Sequence, residues 1–335
     1  MNPQALRVLE QRLSLVGSAT PVRRLSAVSL HAGRDVHAKQ DDQSSQIYGG
    51  TKTRKLEFIL QHAMDSSARS LVTLGGWGSH HVTATASHAR PLGLEVHAVV
   101  APQPRSALVE LNLRRSLAAG AVLHPVGGDL GIVFGLWRLM RRLRREARKP
   151  YLVNLGGSSA WGTLGTVRAA FELMEQVRLG QAPAVGPVVV ALGSGSTVAG
   201  LALGFVLAGA PRPVRAVRVT SRLVVNPFVI QKLLAAAAEL LVEPSARRAL
   251  VRDAARLISI DESQVGQGYG WSTPAGDAAM ELAAADGLLL EPTYTAKAMA
   301  AVLAEKSDDA PVLYWHTLAG RLPDPPDEIR LPPWL

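Results

Sequence analysis

The sequence contains no cysteine among its 335 residues. Disulfides, thiolate metal sites and cysteine nucleophiles are therefore excluded. Aromatic residues make up only 5% of the chain. No run of about 20 apolar residues is free of charges or helix breakers, so no membrane span is expected. Residues 1–11 lack the long apolar segment of a secretory signal. These absences predict a soluble, cytoplasmic protein.

Apolar residues make up 47% of the chain, enough for a sizeable core in two domains or one large one. The net charge is +9, and residues 138–149 are rich in arginine. That stretch lacks the interleaved aromatics and the motifs of nucleic-acid binding. We interpret it as a solvated helix face, with a surface for nucleic acid or an acidic partner as the alternative.

Short apolar strands alternate with helices along most of the chain, which indicates βαβ units and parallel sheets. The strands are expected at residues 36–39, 71–74, 94–101, 122–126, 151–153, 187–192, 214–219 and 311–315. The other residues of 1–46 resemble an extended lead-in, and the proline-rich residues 323–335 an irregular arm. We therefore expect an α/β fold with flanking helices.

Lys52 lies just after Gly49 and Gly50, where a helix-forming run begins. Glycines permit a sharp turn and a close approach to a ligand, because they carry no Cβ. A lysine held at a turn-to-helix junction suits Schiff-base formation with a carbonyl cofactor. The alternative is a surface lysine at the start of a helix.

A glycine- and serine-rich turn follows the apolar run at 187–192, and consists of Gly193, Ser194, Gly195, Ser196 and Thr197. Its N–H groups and hydroxyls could bind an anion at the N-terminus of the next helix. The turn matches neither a P-loop nor a dinucleotide-binding fingerprint, so a single phosphate group is the ligand expected here. An ordinary turn is the alternative.

A second such turn runs from Gly75 through Trp77 and Ser79 to His80 and His81. Ser79 is a candidate N-cap of the helix that follows. The functional alternative is that this turn binds a carboxylate group. Adjacent histidines on a helix point in different directions, and no third ligand has a sensible spacing. We therefore predict no metal site.

Tyr269 and Tyr294 each lie in a turn and are candidates for acid–base chemistry, with simple packing as the alternative. His316 and Thr317 end the last apolar strand, where a hydroxyl could meet a ring nitrogen.

Together these stretches resemble the pyridoxal-phosphate (PLP) enzymes of the tryptophan-synthase-β type, in the branch of D-cysteine desulfhydrase and 1-aminocyclopropane-1-carboxylate (ACC) deaminase. The resemblance runs from about residue 20 to residue 320. Its motifs are Lys39-Gln40-Asp41-Asp42, Gly49-Gly50-Thr51-Lys52-Thr53-Arg54-Lys55-Leu56-Glu57, Gly195 to Gly200, Gly268-Tyr269-Gly270 and Pro292 to Ala298.

The resemblance implies a fold type II architecture of two open twisted sheets with flanking helices, and a homodimer. The expected large domain comprises residues 1–54 and 163–335, and the expected small inserted domain residues 55–162. Lys52 is then the Schiff-base lysine, residues 193–197 bind the phosphate, and Thr295 and Thr317 face the pyridine nitrogen. Catalytic roles fall to Lys52, Tyr294, Tyr269 and Ser79.

In this resemblance His80 contacts the cofactor, and the substrate lies against Trp77, Ser79, His80, His81 and Tyr269. The sequence also departs from the family pattern around the cofactor. Thr51 and His80 replace asparagines, Gly78 stands where glutamine is common, and Leu318-Ala319 replaces a Gly-Gly pair.

The expected function is a PLP-dependent lyase acting on a small amino acid, resembling D-cysteine desulfhydrase. Thr295 and Thr317 match the desulfhydrases, because the deaminases carry glutamate and leucine there. A threonine cannot balance a pyridinium, and the weaker electron sink suits elimination of a good leaving group such as thiolate. ACC-deaminase-type ring opening, a specialised biosynthetic lyase or β-replacement enzyme, and a PLP-binding protein without turnover are the alternatives.

Overall fold

The computed structural model describes residues 3–184, 186–305, 311–320 and 325–331. Its strands are β1 (Val22–Arg24), β2 (Val36–Gln40), β3 (Ser70–Gly76), β4 (Glu95–Ala101), β5 (Ala121–Pro125), β6 (Pro150–Leu152), β7 (Val188–Leu192), β8 (Val214–Arg218), β9 (Ile258–Asp261) and β10 (Val312–His316). Its helices are α1 (Pro3–Glu10), α2 (Ser26–Ala32), α3 (Thr51–Asp65), α4 (His80–Ala89), α5 (Ala107–Ala118), α6 (Gly128–Arg145), α7 (Ala160–Arg178), α8 (Ser196–Leu207), α9 (Pro227–Leu241), α10 (Pro244–Arg256), α11 (Pro274–Ala285) and α12 (Thr295–Ala304).

The strands form two sheets. The larger has the order β1-β2-β10-β7-β8-β9, and the smaller has the order β5-β4-β3-β6. All pairs are parallel except β1 with β2. The two-sheet α/β prediction is therefore confirmed.

Burial follows from the composition of the strands. Strand β7 is a continuous apolar run buried along its whole length, as expected for a central parallel strand with helices on both faces. Helix α8 follows it directly and packs on α7. A Cβ atom on Gly200 of α8 would overlap Thr166 Oγ1 and Thr163 O, so glycine sets the closeness of these two helices.

The sequence-based prediction for residues 1–46 was wrong in part. Besides β2, this segment forms helix α1, strand β1 and helix α2. Each is short, at eight, three and seven residues, so periodicity is a weak signal. Strand β9 was also missed, at four residues between two helices. Residues 325–331 contain one turn, in which Ile329 N donates to Pro326 O at 3.1 Å, and the rest of the expected arm lies outside the described residues.

Most of the arginine-rich stretch, residues 138–145, forms the second half of α6, a largely exposed helix, and residues 146–149 follow its end. Its first half carries the exposed apolar residues Leu130, Val133, Phe134 and Trp137. Arg138 lies over the Phe134 ring, and Arg141 lies over the Trp137 ring. Within the part of the chain that the structure describes, no helix is both long and apolar enough to cross a membrane.

Candidate active site

A cavity of about 580 Å³ gathers most of the residues singled out in the sequence. Its walls come from the turns that follow β3, β7, β8 and β10, and from the first turns of α3 and α4. In open parallel sheets, ligands bind beyond the carboxyl ends of the strands. The cavity therefore lies where this architecture places a ligand site.

Lys52 occupies the first turn of α3 and lines the cavity. Gly50 caps this helix at φ 86°, and a Cβ atom there would lie 2.9 Å from the Leu318 carbonyl oxygen. Glycine is required on both grounds. Burial lowers the pKa of Lys52 to about 8, opposed by the charge of Glu291. The Nζ atom lies 6.0 Å from the centre of the Tyr294 ring.

A buried ion network holds the start of α3. Asp41 accepts hydrogen bonds from Arg54 Nε at 2.8 Å, Thr51 Oγ1 at 2.6 Å and Trp315 Nε1 at 2.8 Å. Glu172 accepts from Arg54 Nη2 at 2.9 Å and from Lys39 Nζ at 2.6 Å. Thr51, the neighbour of Lys52, is thus hydrogen-bonded to Asp41. The Lys39–Asp42 motif therefore helps to fix the position of Lys52 in the first turn of α3.

The glycine- and serine-rich turn after β7 surrounds the N-terminus of α8. Gly195 takes φ 98°, and Ser158 Oγ lies at hydrogen-bond distance from Ser194 Oγ, at 2.7 Å, and from Ser196 Oγ, at 3.0 Å. Hydroxyls and helix N–H groups here can bind a dianion. Thr197 also lines the cavity.

Lys55 is a cavity residue that the sequence analysis left without a role. It lies one turn after Lys52 and is 2% exposed, and its Nζ atom donates to Gly156 O at 3.3 Å. Burial, and then the charge of Lys52, hold the pKa of Lys55 well below its usual range. An anion in this part of the cavity would relieve both effects.

The turn after β3 places Ser79 and His80 at the start of α4. Ser79 caps the helix by accepting from Val82 N, which confirms its candidate structural role, and it also lines the cavity. His80 lines the cavity with its Nδ1 atom 2.8 Å from the Tyr48 hydroxyl. Burial lowers the pKa of His80, so its ring is neutral at pH 7.

His81 and Trp77 differ in their relation to the cavity. His81 lines it, and burial, then Lys52 and Lys55, lower its pKa to about 3. Trp77 is not among the described residues that line the cavity, and it packs instead against Val82 and the β4 residues Ala98 and Val100. The aromatic ring at position 77 is therefore part of a small apolar cluster.

Tyr269 and Tyr294 come together across the cavity, with ring centres 5.7 Å apart in an edge-to-face arrangement. Burial raises the pKa of both hydroxyls, so both are protonated at neutral pH. The ring of Tyr294 also passes close to Gly193, where a Cβ atom would lie 2.8 Å from Tyr294 Cε1.

Glu291 was not recognised from the sequence as a site residue. It is the single carboxylate among the described residues that line the cavity. Its carboxylate accepts hydrogen bonds from the backbone N–H groups of Thr293, Tyr294 and Thr295, at 2.8, 2.7 and 2.9 Å. It therefore fixes both the second tyrosine turn and the start of α12.

Thr295 and Thr317 both line the cavity. Thr295 Oγ1 lies 3.3 Å from Glu291 Oε1 and accepts from Glu291 N at 2.7 Å. The Thr317 carbonyl accepts from Thr51 N at 3.3 Å, which joins the end of β10 to the start of α3. Leu318 and Ala319 add apolar surface beside Gly50.

Residues 13–317 match the family model described as pyridoxal-phosphate dependent enzyme. The chain belongs to this family of PLP-dependent enzymes, which confirms the resemblance, the fold class and the cofactor. D-cysteine desulfhydrase of Serratia proteamaculans is 34% identical over 336 residues, covering 95% of this chain and 96% of the relative. D-cysteine desulfhydrase of Klebsiella pneumoniae is 33% identical over 323 residues, covering 91% and 93%.

Solved structures agree with this assignment. An ACC deaminase homologue superposes with a TM-score of 0.79 at 27% identity, over 95% of each chain. Maize serine racemase superposes with a TM-score of 0.65 at 17% identity, over 96% of this chain and 94% of that one. The second likeness concerns the fold alone.

Proposed function

We propose that this protein is a PLP-dependent lyase that converts D-cysteine or a similar small amino acid, with water, to a 2-oxo acid, ammonia and the β-leaving group. The proposal rests on one observation: the amine of Lys52 lines the cavity, 6.0 Å from the centre of the Tyr294 ring, and its pKa is lower than that of a free lysine. The desulfhydrase names of the relatives support the substrate class.

The cavity fits PLP. The N-terminus of α8 would hold the phosphate through Ser194 and Thr197, which line the cavity, and Ser196, which is buried and not among the described lining residues. Lys55 would supply a buried positive charge. Thr295 and Thr317 would face the ring nitrogen with neutral hydroxyls. Lys52 would hold the carbonyl carbon. The two threonines would leave the ring nitrogen unprotonated, which suits elimination of thiolate.

Bound PLP supplies a carbonyl carbon that takes up an amino group, and a ring that withdraws electrons from Cα. The residues of this chain then bind the substrate and move protons. Ser79, His80 and the N–H groups of the turn after β3 would hold the substrate carboxylate. Lys52 Nζ, whose pKa is lowered to about 8, would take the Cα proton, and the protonated Tyr294 hydroxyl would act as a proton donor in the same cavity. Tyr269 would orient Tyr294 from the opposite side.

ACC-deaminase-type ring opening is the second candidate, because a solved ACC deaminase homologue is a close structural neighbour and both tyrosines line the cavity. A specialised lyase or β-replacement reaction is the third, supported by His80, Leu318 and Ala319 in the cavity wall. Product analysis separates these reactions from one another.

We expect the purified protein with PLP to show visible cofactor absorbance that shifts when D-cysteine is added, with pyruvate and sulfide accumulating. Lys52→Ala removes the group that binds the cofactor carbonyl, so its cofactor absorbance moves to that of free PLP. Turnover falls by at least about 100-fold, the contribution of a positioned acid or base.

Lys232→Ala is the matched control, since Lys232 is exposed and lies over the Phe228 ring on α9, and it should behave as the wild type. An unchanged cofactor band in Lys52→Ala would contradict the assignment of Lys52. Release of 2-oxobutanoate from ACC, with no pyruvate from D-cysteine, would select the second candidate reaction.

The remaining predictions concern the cellular location, the oligomeric state and the division into domains. The cytoplasmic location and the homodimer are inferred from the sequence and the family resemblance. The division into residues 55–162 and the remainder stays a prediction, supported by the four strands of the smaller sheet, which all lie between Ser70 and Leu152.

A further inference from the structure

Tyr48 and His80 form a contact inside the cavity that the proposed mechanism has not used. The Tyr48 side chain is 2% exposed, and its hydroxyl lies 2.8 Å from His80 Nδ1. The backbone of Tyr48 is fixed as well, because its carbonyl accepts from Thr53 Oγ1 at 2.5 Å and lies 2.9 Å from His88 Nε2. Both side chains line the cavity, so the pair faces whatever binds there.

The chemistry of the two groups decides which one donates. Burial raises the pKa of the Tyr48 hydroxyl and lowers the pKa of His80, so both are neutral at pH 7. A neutral imidazole has one N–H donor and one acceptor nitrogen, and the bond made by one nitrogen selects the proton on the other. A phenol is a stronger acid than a neutral imidazole N–H, so the hydroxyl donates and Nδ1 accepts.

Asn112 does not reverse this assignment. Its Nδ2 atom donates to Gly78 O at 3.0 Å and lies 3.5 Å from His80 Nδ1 and 3.4 Å from Nε2. Both distances are much longer than the 2.8 Å between the Tyr48 hydroxyl and Nδ1, so Tyr48 makes the stronger bond to the acceptor nitrogen. The Asn112 amide therefore restrains the ring without competing for its acceptor nitrogen.

We infer that Tyr48 is a positioning residue that holds His80 as the Nε2–H tautomer, and that Nε2–H donates a hydrogen bond to an anionic oxygen bound in the cavity. The tautomer follows from the contact together with the greater acidity of the phenol. The identity of the oxygen rests on the proposed function, which offers two sources: the phenolic oxygen of the cofactor and the carboxylate of the substrate. Lys52 and Ser79 line the same cavity and can bind an anion, and the carboxylate of Glu291, which also lines it, already accepts hydrogen bonds from three backbone N–H groups.

The chain offers a matched pair of variants to test this inference. Tyr48→Phe removes the hydroxyl and keeps the ring, which packs in an apolar cluster with Leu56, Ile59 and Leu60. Tyr151→Phe removes a hydroxyl that lies 2.9 Å from His62 Nδ1, away from the cavity. Both variants lose one tyrosine–histidine bond, but only one of the bonds faces the site.

The first measurement is the ¹⁵N spectrum of histidine-labelled protein without cofactor, with the His80 signals assigned by their disappearance in His80→Asn. Wild type and Tyr151→Phe should show an unprotonated, hydrogen-bonded Nδ1 and a protonated Nε2 at His80. Tyr48→Phe should show a mixture of tautomers. A protonated Nδ1 in the wild type, or an unchanged His80 spectrum in Tyr48→Phe, overturns the inference.

The second measurement identifies the anion in the holoenzyme. If the anion is the phenolic oxygen of the cofactor, Tyr48→Phe should weaken PLP binding about tenfold, which is the effect of losing one hydrogen bond to a charged oxygen. A substrate carboxylate predicts that KM rises by that factor while kcat and PLP affinity change little. If neither quantity moves, the role at an anionic oxygen is overturned. Failure of every substrate, with the tautomer result intact, overturns the proposed function instead.

Discussion

Asp41 shows how much one buried residue contributes to the placement of Lys52. It is fully buried and accepts hydrogen bonds from α3, from β10 and from Thr20. A carboxylate can accept all of these bonds because both of its oxygens are acceptors. The motif that contains Asp41 is therefore structural, although it was found through its resemblance to an enzyme family.

Asp41→Asn should lower the free energy of unfolding by about 3 kcal/mol or more, because it leaves buried Arg54 without a full counter-charge and turns an NH₂ group toward donors. Urea unfolding of the cofactor-free protein measures this change. Glu175→Gln is the control, since its pair with Arg178 is exposed, and we expect no shift there. Equal effects of the two substitutions would contradict the structural role of Asp41.

The sequence analysis singled out cavity residues that belong to compact motifs, such as Lys52 and the two tyrosines. It did not reveal Lys55 or Tyr48 as cavity residues, because their significance depends on neighbours that are distant along the chain. Glu291 bonds to N–H groups only two to four residues later, and the fold alone shows that it lines the cavity. Tyr48 meets a histidine 32 positions away. Such contacts come from the tertiary fold, and local pattern carries no signal for them.

At the scale of elements, the turn proposed to bind phosphate depends on where α8 lies against α7. Gly200 and Gly204 face α7, and a Cβ atom on either would overlap atoms of that helix. Close helix packing therefore holds the N-terminus of α8 at the cavity. The segment from Gly195 to Gly200, found as a ligand motif, thus has a second role in packing.

Gly200→Ala should destabilise the protein by about 1–3 kcal/mol through overpacking, even though alanine favours helices. It should also weaken PLP binding, because the start of α8 would move. Unfolding of the cofactor-free protein and titration with PLP measure the two effects. Gly17→Ala places a methyl group in open space and should change neither. A stabilised Gly200→Ala would refute tight packing here.

Most elements could be predicted from the sequence, because long apolar strands and helices with caps carry strong local signals. The helix Pro227–Leu241 begins after the capping residue Asn226, with proline in its first turn, and its bounds were predictable. Strand β9 was not, since its four residues are only partly buried and lie between two helices. Its pairing with β8 is a long-range contact.

At the scale of the whole molecule, buried histidines should make the protein less stable as the pH falls below about 6.5. Burial lowers the pKa of His81 to about 3, and those of His124 and His316 to about 4, from an ordinary 6.5. The unfolded chain then binds more protons, so stability falls as the pH drops from 6.5 towards 4. Asp42, with its pKa raised to about 6 by burial, opposes this trend in part.

The urea midpoint measured between pH 7.5 and pH 4 should therefore decrease, most steeply below pH 6.5. Replacing the buried His81 by glutamine should flatten the decrease, whereas replacing the exposed His31 by glutamine should leave it as in the wild type. A midpoint that stays constant from pH 7 to pH 4.5 would contradict the prediction.

The pairing of β2 with β10 has a consequence for folding during synthesis on the ribosome. Residues 36–40 leave the ribosome early, but their neighbours in the larger sheet, residues 312–316, follow some 270 residues later. The smaller sheet, between Ser70 and Leu152, has all its strands available long before that. It can fold during synthesis, while β2 and the turn that carries Lys52 wait with an open edge for their partner. Nascent chains should thus be most prone to aggregate, and most dependent on chaperones, in the interval before β10 emerges.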